Sequence, residues 1–176
     1  SCATCHNENG SRNVFGLAVQ SVVTAGSQDP FWGPVLAALD SDGDGDGRKN
    51  IWTSLPDIFA SIANYLKEHG WSDKATWGRE VKVPPAARAK VNAVPRRPEG
   101  CRAERALSTP LPLKEWTKLG VRTTAGTALP AGALEASMVT DGSRYFLVYK
   151  NYEAILAYNC ATSYAISIGM LSDRLK

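Results

Sequence analysis

The 176-residue chain has two histidines, two methionines and four cysteines, and it has no long apolar run. No stretch approaches the roughly 18 consecutive apolar residues that cross a bilayer, so no membrane-spanning helix is expected. The chain opens directly on SCATCH, without a charged and apolar leader, so no export signal is expected within it. The cysteines fall as a near pair, Cys2 and Cys5, and two distant singles, Cys101 and Cys160. That is too sparse for a disulfide-built scaffold, and it leaves the compartment open. An excess of one charge is also missing. Twenty Lys and Arg stand against 17 Asp and Glu, a net charge of +3, too weak a field to gather nucleic acid and only mildly favourable to an anionic polymer. The one basic cluster, Arg88, Lys90, Arg96, Arg97, Arg102 and Arg105, lies in a Pro- and Ala-rich segment that reads as a loop with a solvated face.

What is present is a hydrophobic content of 44%, enough for a real core in one ordinary domain, or in a domain with a small appendage, and a monomer is expected. The most distinctive stretch runs from Asp40 to Tyr65, DSDGDGDGRKNIWTSLPDIFASIANY, a ladder of alternating Asp and Gly leading into a patterned helix. Carboxylates at every second residue, Asp40, Asp42, Asp44 and Asp46, alternate with glycines that let the backbone turn tightly enough to aim them at one point. Counting from Asp42 puts Asp44 third, Asp46 fifth and the Arg48 carbonyl seventh, the spacing of an EF-hand calcium loop with Gly47 at its sharp turn. Thr53 occupies the position of the usual closing Glu, and the next carboxylate is Asp57, so a longer loop closed by Asp57 is one reading. A frame starting at Asp40 is a second, and a solvated acidic turn a third, although carboxylates packed so closely repel unless a cation neutralises them.

The chain begins with Cys2-Ala-Thr-Cys5-His6, the C-x-x-C-H pattern in which two thioethers hold haem c and the histidine binds its iron. Residues 1–41 thereby resemble the start of a small c-type cytochrome-like domain. The competing reading of Cys2 and Cys5 is a terminal dithiol or disulfide. From Ile51 the pattern is clear: Ser54 or Thr53 can cap, Pro56 suits a first turn, and Ile58, Phe59, Ile62, Ala63 and Leu66 recur at helical spacing until Gly70, so this helix is expected to pack on a core. REVKVP, Arg79 to Pro84, alternates as a strand. A basic loop then runs to about Pro112, and residues 111–121 read as a short helix with Trp116 and Leu119 inward. Two strand-like runs, ALEASMVT and RYFLVYK, flank Asp141-Gly142, a hairpin signal. The last segment is helical in two pieces around Asn159 to Ser163, with Ile166, Met170 and Leu171 as the apolar stripe of the final helix.

DGDGDGRKNIWTSLPDIFASIANYLKEHGW, REVKVP, LKEWTKLGVRTTAGTALP and YFLVYKNYEAILAYNCATSYAISIGMLSDRL, in this order, resemble the C-terminal half of the lytic murein transglycosylase B family over about residues 42–176. The resemblance implies a mainly α (α+β) fold: part of a lysozyme-like helical domain with an EF-hand-like calcium loop and a small β-hairpin. It implies action on bacterial peptidoglycan, in the periplasm or cell envelope. In that family a single Glu, its pKa raised in a largely apolar cleft, first protonates the leaving oxygen. It then deprotonates the muramic 6-hydroxyl, leaving an anhydro sugar without using water.

The family's E-T/S-x-x-G motif that carries this Glu is absent here, as is its Met-Gly-x-x-Gln-Phe-Met-Pro-Ser stretch. No catalytic residue is assigned; Glu8 and Glu68 are the acids to replace first if activity is found. The resemblance does carry over a substrate side, Tyr65, Tyr158, Asn159 and Tyr164, whose aromatic faces and amide suit pyranose rings and N-acetyl groups. It also carries over a calcium set of Asp42, Asp44, Asp46, the Arg48 carbonyl and Asp57. Cys160 and Ala161 stand where polar residues are usual after Tyr-Asn. Three functions follow: a transglycosylase-like protein cleaving or binding glycan strands, a haem-carrying electron-transfer protein, and a non-catalytic cell-wall binding module.

Overall fold

The computed structural model describes residues 41–175, and the chain divides into two compact units, Ser1–Glu68 and His69–Lys176. In the first unit the described residues are 41–68, which hold the Asp-Gly ladder from Asp42 onward and helix α1 (Leu55–Glu68), while Asp40 lies outside them. Ser54 caps it: its carbonyl takes the first helical bond from Ile58 N–H at 3.1 Å, and its hydroxyl faces the Asp57 N–H at 3.4 Å. The buried residues of α1 are Asp57, Ser61 and Tyr65, a stripe at spacing four.

The apolar stripe expected on α1 is not the buried one. Phe59 is 65% exposed, Ala63 is exposed, and Ile58, Ile62 and Leu66 are half-buried. The ladder itself is the reason. It lies along the polar edge of the helix, where the Ser61 hydroxyl accepts the Ser41 N–H at 3.2 Å and the Asp57 carboxylate accepts the Gly43 N–H at 2.7 Å. Gly43 is what permits the approach, because a Cβ there would stand 2.3 Å from the Pro56 carbonyl oxygen.

The second unit is built on a five-stranded sheet of order β2-β4-β5-β1-β3, all pairs antiparallel. Its strands are β1 (Gly78–Lys82), β2 (Leu111–Pro112), β3 (Arg122–Thr123), β4 (Glu135–Asp141) and β5 (Arg144–Val148). The expected hairpin is present as β4 and β5, with Asp141 paired to Arg144 across the turn. It is the middle of a sheet rather than a separate small hairpin, because the expected strand β1 pairs with the free edge of β5, Val81 opposite Tyr145. The two-residue strands β2 and β3 are too short to show alternation, and only pairing with β4 and β1 defines them.

The segment expected as a basic loop contains helices α2 (Pro85–Asn92) and α3 (Arg102–Arg105). The prolines that read as breakers start α2, where a missing N–H costs nothing, and Ala87 and Val91 bury one face. Arg88, Lys90, Arg96, Arg102 and Arg105 are exposed as expected. Arg97 is not: it bonds the Ser137 hydroxyl at 2.9 Å and the Glu153 carboxylate at 2.6 Å.

One face of the sheet, with Val81, Ala136, Met138 and Leu147, packs under α2 and α4 (Leu113–Lys118), into which Trp116 inserts fully buried, its indole N–H on the Ala136 carbonyl at 2.9 Å. Leu119 is partly buried against the same cluster. The alternate residues Val139, Phe146 and Val148 are buried too, which is why RYFLVYK reads as a continuous apolar run. On that side Trp77 lies 6.1 Å from Phe146 and 6.3 Å from Tyr152, ring centre to ring centre. The last two helices are α5 (Lys150–Tyr158) and α6 (Thr162–Arg174), the two pieces expected around Asn159. The buried line of α6 is Ala165, Ile166 and Gly169, with Leu171 53% exposed, because Gly169 sits flat against the Trp77 indole where a Cβ would be 2.3 Å away.

Candidate functional site

Among the described residues, two groups of side chains stand out chemically, one in each unit. In the first, the Asp-Gly ladder folds back on itself through its own carboxylates. Asp42 accepts the Gly45 and Gly47 N–H groups at 2.7 and 2.9 Å, Asp44 accepts Asp46 N–H at 3.2 Å, and Asp46 accepts Arg48 N–H at 2.7 Å. Each short-range bond closes a turn that an alternating Asp-Gly sequence is suited to make, and Gly47 supplies the positive φ of 80° at the sharp bend.

Asp57, only 1% exposed, reaches back from the first turn of α1 and accepts Gly43 N–H and Asn50 N–H, both at 2.7 Å. These two bonds, the Gly43 one foremost, hold its carboxyl below the usual carboxylate range. The Ser54 hydroxyl donates to Asp44 at 2.9 Å. Carboxylate oxygens of Asp42, Asp44 and Asp57 consequently lie within 4.8 Å of one another. An all-oxygen, triply anionic set of this kind fits a hard cation. Asp46 is not in that group, and Thr53 uses its hydroxyl to accept the Asn50 side-chain amide at 2.6 Å.

In the second unit, α5 ends at Tyr158 and α6 begins at Thr162. The Tyr158 and Tyr164 rings, both half-buried, stack 6.4 Å apart with 22° between their planes. Asn159, between them in sequence, is exposed and extended, and its backbone N–H bonds the Ile155 carbonyl at 3.0 Å. The arrangement places an aromatic surface beside an exposed amide. Tyr65, on α1 in the other unit, is 3% exposed, and burial raises its phenol pKa. Of the expected sugar-facing residues it presents the least surface. Cys2, Cys5, His6 and Glu8 lie outside the described residues. Glu68 closes α1 and is exposed.

The sequence reading missed two features. Cys101 and Cys160 form a disulfide across 59 residues of sequence, with 6.3 Å between their Cα atoms, beside Tyr158 and Asn159. Nothing in the spacing of two isolated cysteines marks them as partners. A shallow groove is lined by Trp77, Glu80, Arg144, Phe146 and Asp173, and in it Arg144 grips Glu80 with two hydrogen bonds, of 3.0 and 2.5 Å. That grip holds the Glu80 carboxyl below its ordinary pKa. Glu153 also shifts down: burial pushes its pKa upward, but bonds from Lys150 and Arg97 outweigh it. Among the described residues, Asp57, Glu80 and Glu153 are thus each held toward the ionised form by their hydrogen-bond partners.

Residues 35–173 match the family described as transglycosylase SLT domain, and the chain belongs to that family. Among solved structures it is similar to SltB3 from Pseudomonas aeruginosa in complex with NAG-anhNAM-pentapeptide. That match has 30% identity and a TM-score of 0.65, over 90% of this chain and 44% of the other. SltB3 in complex with NAG-NAM-pentapeptide aligns at 27% identity and TM-score 0.65, over 98% of this chain and 52% of that one. The Escherichia coli lytic transglycosylase Slt35 in complex with calcium shares the fold, at 23% identity and TM-score 0.56, over 80% of this chain and 40% of that one. The chain therefore spans about half the length, or less, of these structures. No curated protein sequence matches it.

Proposed function

We propose that this chain forms the glycan-binding part of a peptidoglycan lytic transglycosylase, holding MurNAc-GlcNAc strands against Tyr158, Asn159 and Tyr164. The observation that carries the reading is the family match over residues 35–173 together with a stacked tyrosine pair flanking an exposed Asn. The two SltB3 structures, with bound NAG-anhNAM- and NAG-NAM-pentapeptides, support the ligand class.

In this reading the tyrosine faces orient the pyranose rings and exclude water from one side of the strand, while Asn159 donates to or accepts from an N-acetyl group. Cleavage to the anhydro product needs a carboxyl that can be protonated near neutral pH, and the family motif that carries it is absent from this sequence. Calcium is the cation proposed for Asp42, Asp44 and Asp57, with Asp46 and the Arg48 carbonyl as further ligands. When bound it would neutralise the carboxylates and fasten the loop to α1. The Slt35 structure with calcium supports the choice of ion. The Cys101–Cys160 disulfide suits the oxidising periplasm or cell envelope, where peptidoglycan lies.

The deciding experiment incubates purified peptidoglycan with the protein and calcium, measures binding by co-sedimentation, and analyses the soluble products by mass. Co-sedimentation that falls at least tenfold in Tyr158→Ala and Asn159→Ala supports the reading. Wild-type protein that stays in the supernatant refutes it. Release of anhydro-muramic ends would show that an acid is at work, and Glu8→Gln and Glu68→Gln would be the first variants to assay.

A further inference from the structure

Residues 159–161 are a three-residue link between two helices, and little holds them. Asn159 and Ala161 are extended, with φ of −145° and −137°, and the start of α6 has no side-chain cap. The backbone bonds of the link stay local: Asn159 N–H to Ile155, Ala161 N–H to Asn159, and Ala165 N–H to Ala161. Among the described residues, two interactions tie the link to a distant element. One is the Cys160–Cys101 disulfide; the other is the Ala103 N–H, which points at the Cys160 sulfur at 3.3 Å.

The element at the far end is firmly placed. Cys101 caps α3, its N–H bonded to the Glu104 carboxylate at 2.7 Å, and Ala103 and Leu107 are 4% and 0% exposed. The Leu107 carbonyl accepts Arg97 N–H at 3.0 Å, and the next residue docks on β4, Ser108 N–H to the Met138 carbonyl at 3.0 Å and Met138 N–H to the Ser108 hydroxyl at 2.8 Å. Through this path the link is joined to strand β4, inside the sheet. Immobilising a binding loop in its bound shape before the ligand arrives lowers the ordering cost of binding.

We propose that the Cys101–Cys160 disulfide is a positioning device for the sugar-facing surface: it fixes the link that carries Asn159 between the stacked Tyr158 and Tyr164. The proposal rests on the glycan-binding reading above. Cys160 touches no substrate in it; the disulfide acts by holding its neighbours in sequence.

The test uses the full chain in four forms: wild type, Cys2→Ser/Cys5→Ser as a control for the other thiols, Cys101→Ser/Cys160→Ser, and the control form reduced with dithiothreitol at 10 °C and then reoxidised. The probe is a purified GlcNAc-MurNAc tetrasaccharide, with affinity read by calorimetry and backbone mobility of 158–164 by hydrogen exchange. Expected are at least tenfold weaker binding and at least tenfold faster exchange at 159–164 when the bond is absent, with β4 and β5 still protected as folded strands and binding restored on reoxidation. Equal affinity with and without the bond overturns the proposal. If the oxidised protein fails to bind the probe, the glycan reading falls instead. Exchange then decides the brace by itself, and unchanged exchange at 159–164 overturns it. Should the double variant not fold, the reduction and reoxidation arm gives the same comparison on a chain that folded with the bond intact.

Discussion

Replacing Asn151 by alanine is expected to cost the second unit about 3 kcal/mol. The residue is fully buried at the start of α5, and its side chain makes three hydrogen bonds to one turn: Oδ1 accepts Ser72 N–H at 2.9 Å, and Nδ2 donates to the Ser72 and Ala75 carbonyls at 2.9 and 2.8 Å. Three hydrogen bonds at about 1 kcal/mol each give the figure. At roughly 4 °C or more per kcal/mol for a unit of this size, the melting point should fall by about 12 °C.

Asn151→Asp refines the test. Aspartate keeps the acceptor but turns a carboxylate toward two carbonyl oxygens, so burial and repulsion raise its folded pKa above the usual value of about 3.9. With a raised folded pKa, the stability it contributes is fully present below the unfolded pKa and is lost as pH rises through the folded one. The Asp variant should therefore be less stable than the Ala variant at pH 7, and the gap should narrow toward pH 4. Urea midpoints from pH 4 to 8 supply the data. An Ala variant that loses less than about 1 kcal/mol, or an Asp variant without this extra pH slope, would refute the reasoning.

Other measurements bear on the remaining elements. With calcium at about 100 times its dissociation constant, chelation should remove about 2.7 kcal/mol of stability, and Asp42→Asn should melt at the same temperature with and without chelator. Gly43→Ala forces a Cβ to within 2.3 Å of the Pro56 carbonyl oxygen, so the loop must leave α1; calorimetric calcium affinity should drop at least tenfold. Gly169→Ala drives a methyl into the Trp77 indole and should cost about 1–3 kcal/mol by urea denaturation. Arg144 lowers the Glu80 pKa, so their pair stabilises above the unfolded pKa of Glu80 and fades as pH falls through the folded one. Because both side chains are more than a third exposed, Glu80→Gln should lose less than about 1 kcal/mol at pH 7 and show no loss in strong acid. Cutting the loop closed across 59 residues by Cys101→Ser/Cys160→Ser should cost about 4 kcal/mol, read from the urea midpoint.

The sequence by itself determined the parts whose signal is local. The Asp-Gly ladder announces a carboxylate-rich turn because each Asp can close a bond with an N–H two to five residues on, as Asp42, Asp44 and Asp46 do. The hairpin at Asp141-Gly142 and the break at Asn159 were legible for the same reason, since turn chemistry is written in adjacent residues. The family was legible in the order of several such stretches.

Tertiary structure alone decided which face of each helix is buried. On α1 the apolar residues lost that place to Asp57, Ser61 and Tyr65, because the ladder bonds the polar edge. On α6 Gly169 displaced Leu171, because a flat indole needs a residue with no side chain. The same holds for the disulfide, for Asn151 and for the strands β2 and β3. Each is defined by a partner far along the chain, at separations from 59 to 79 residues for Cys101–Cys160 and Asn151–Ser72, where only the folded geometry brings the two groups together.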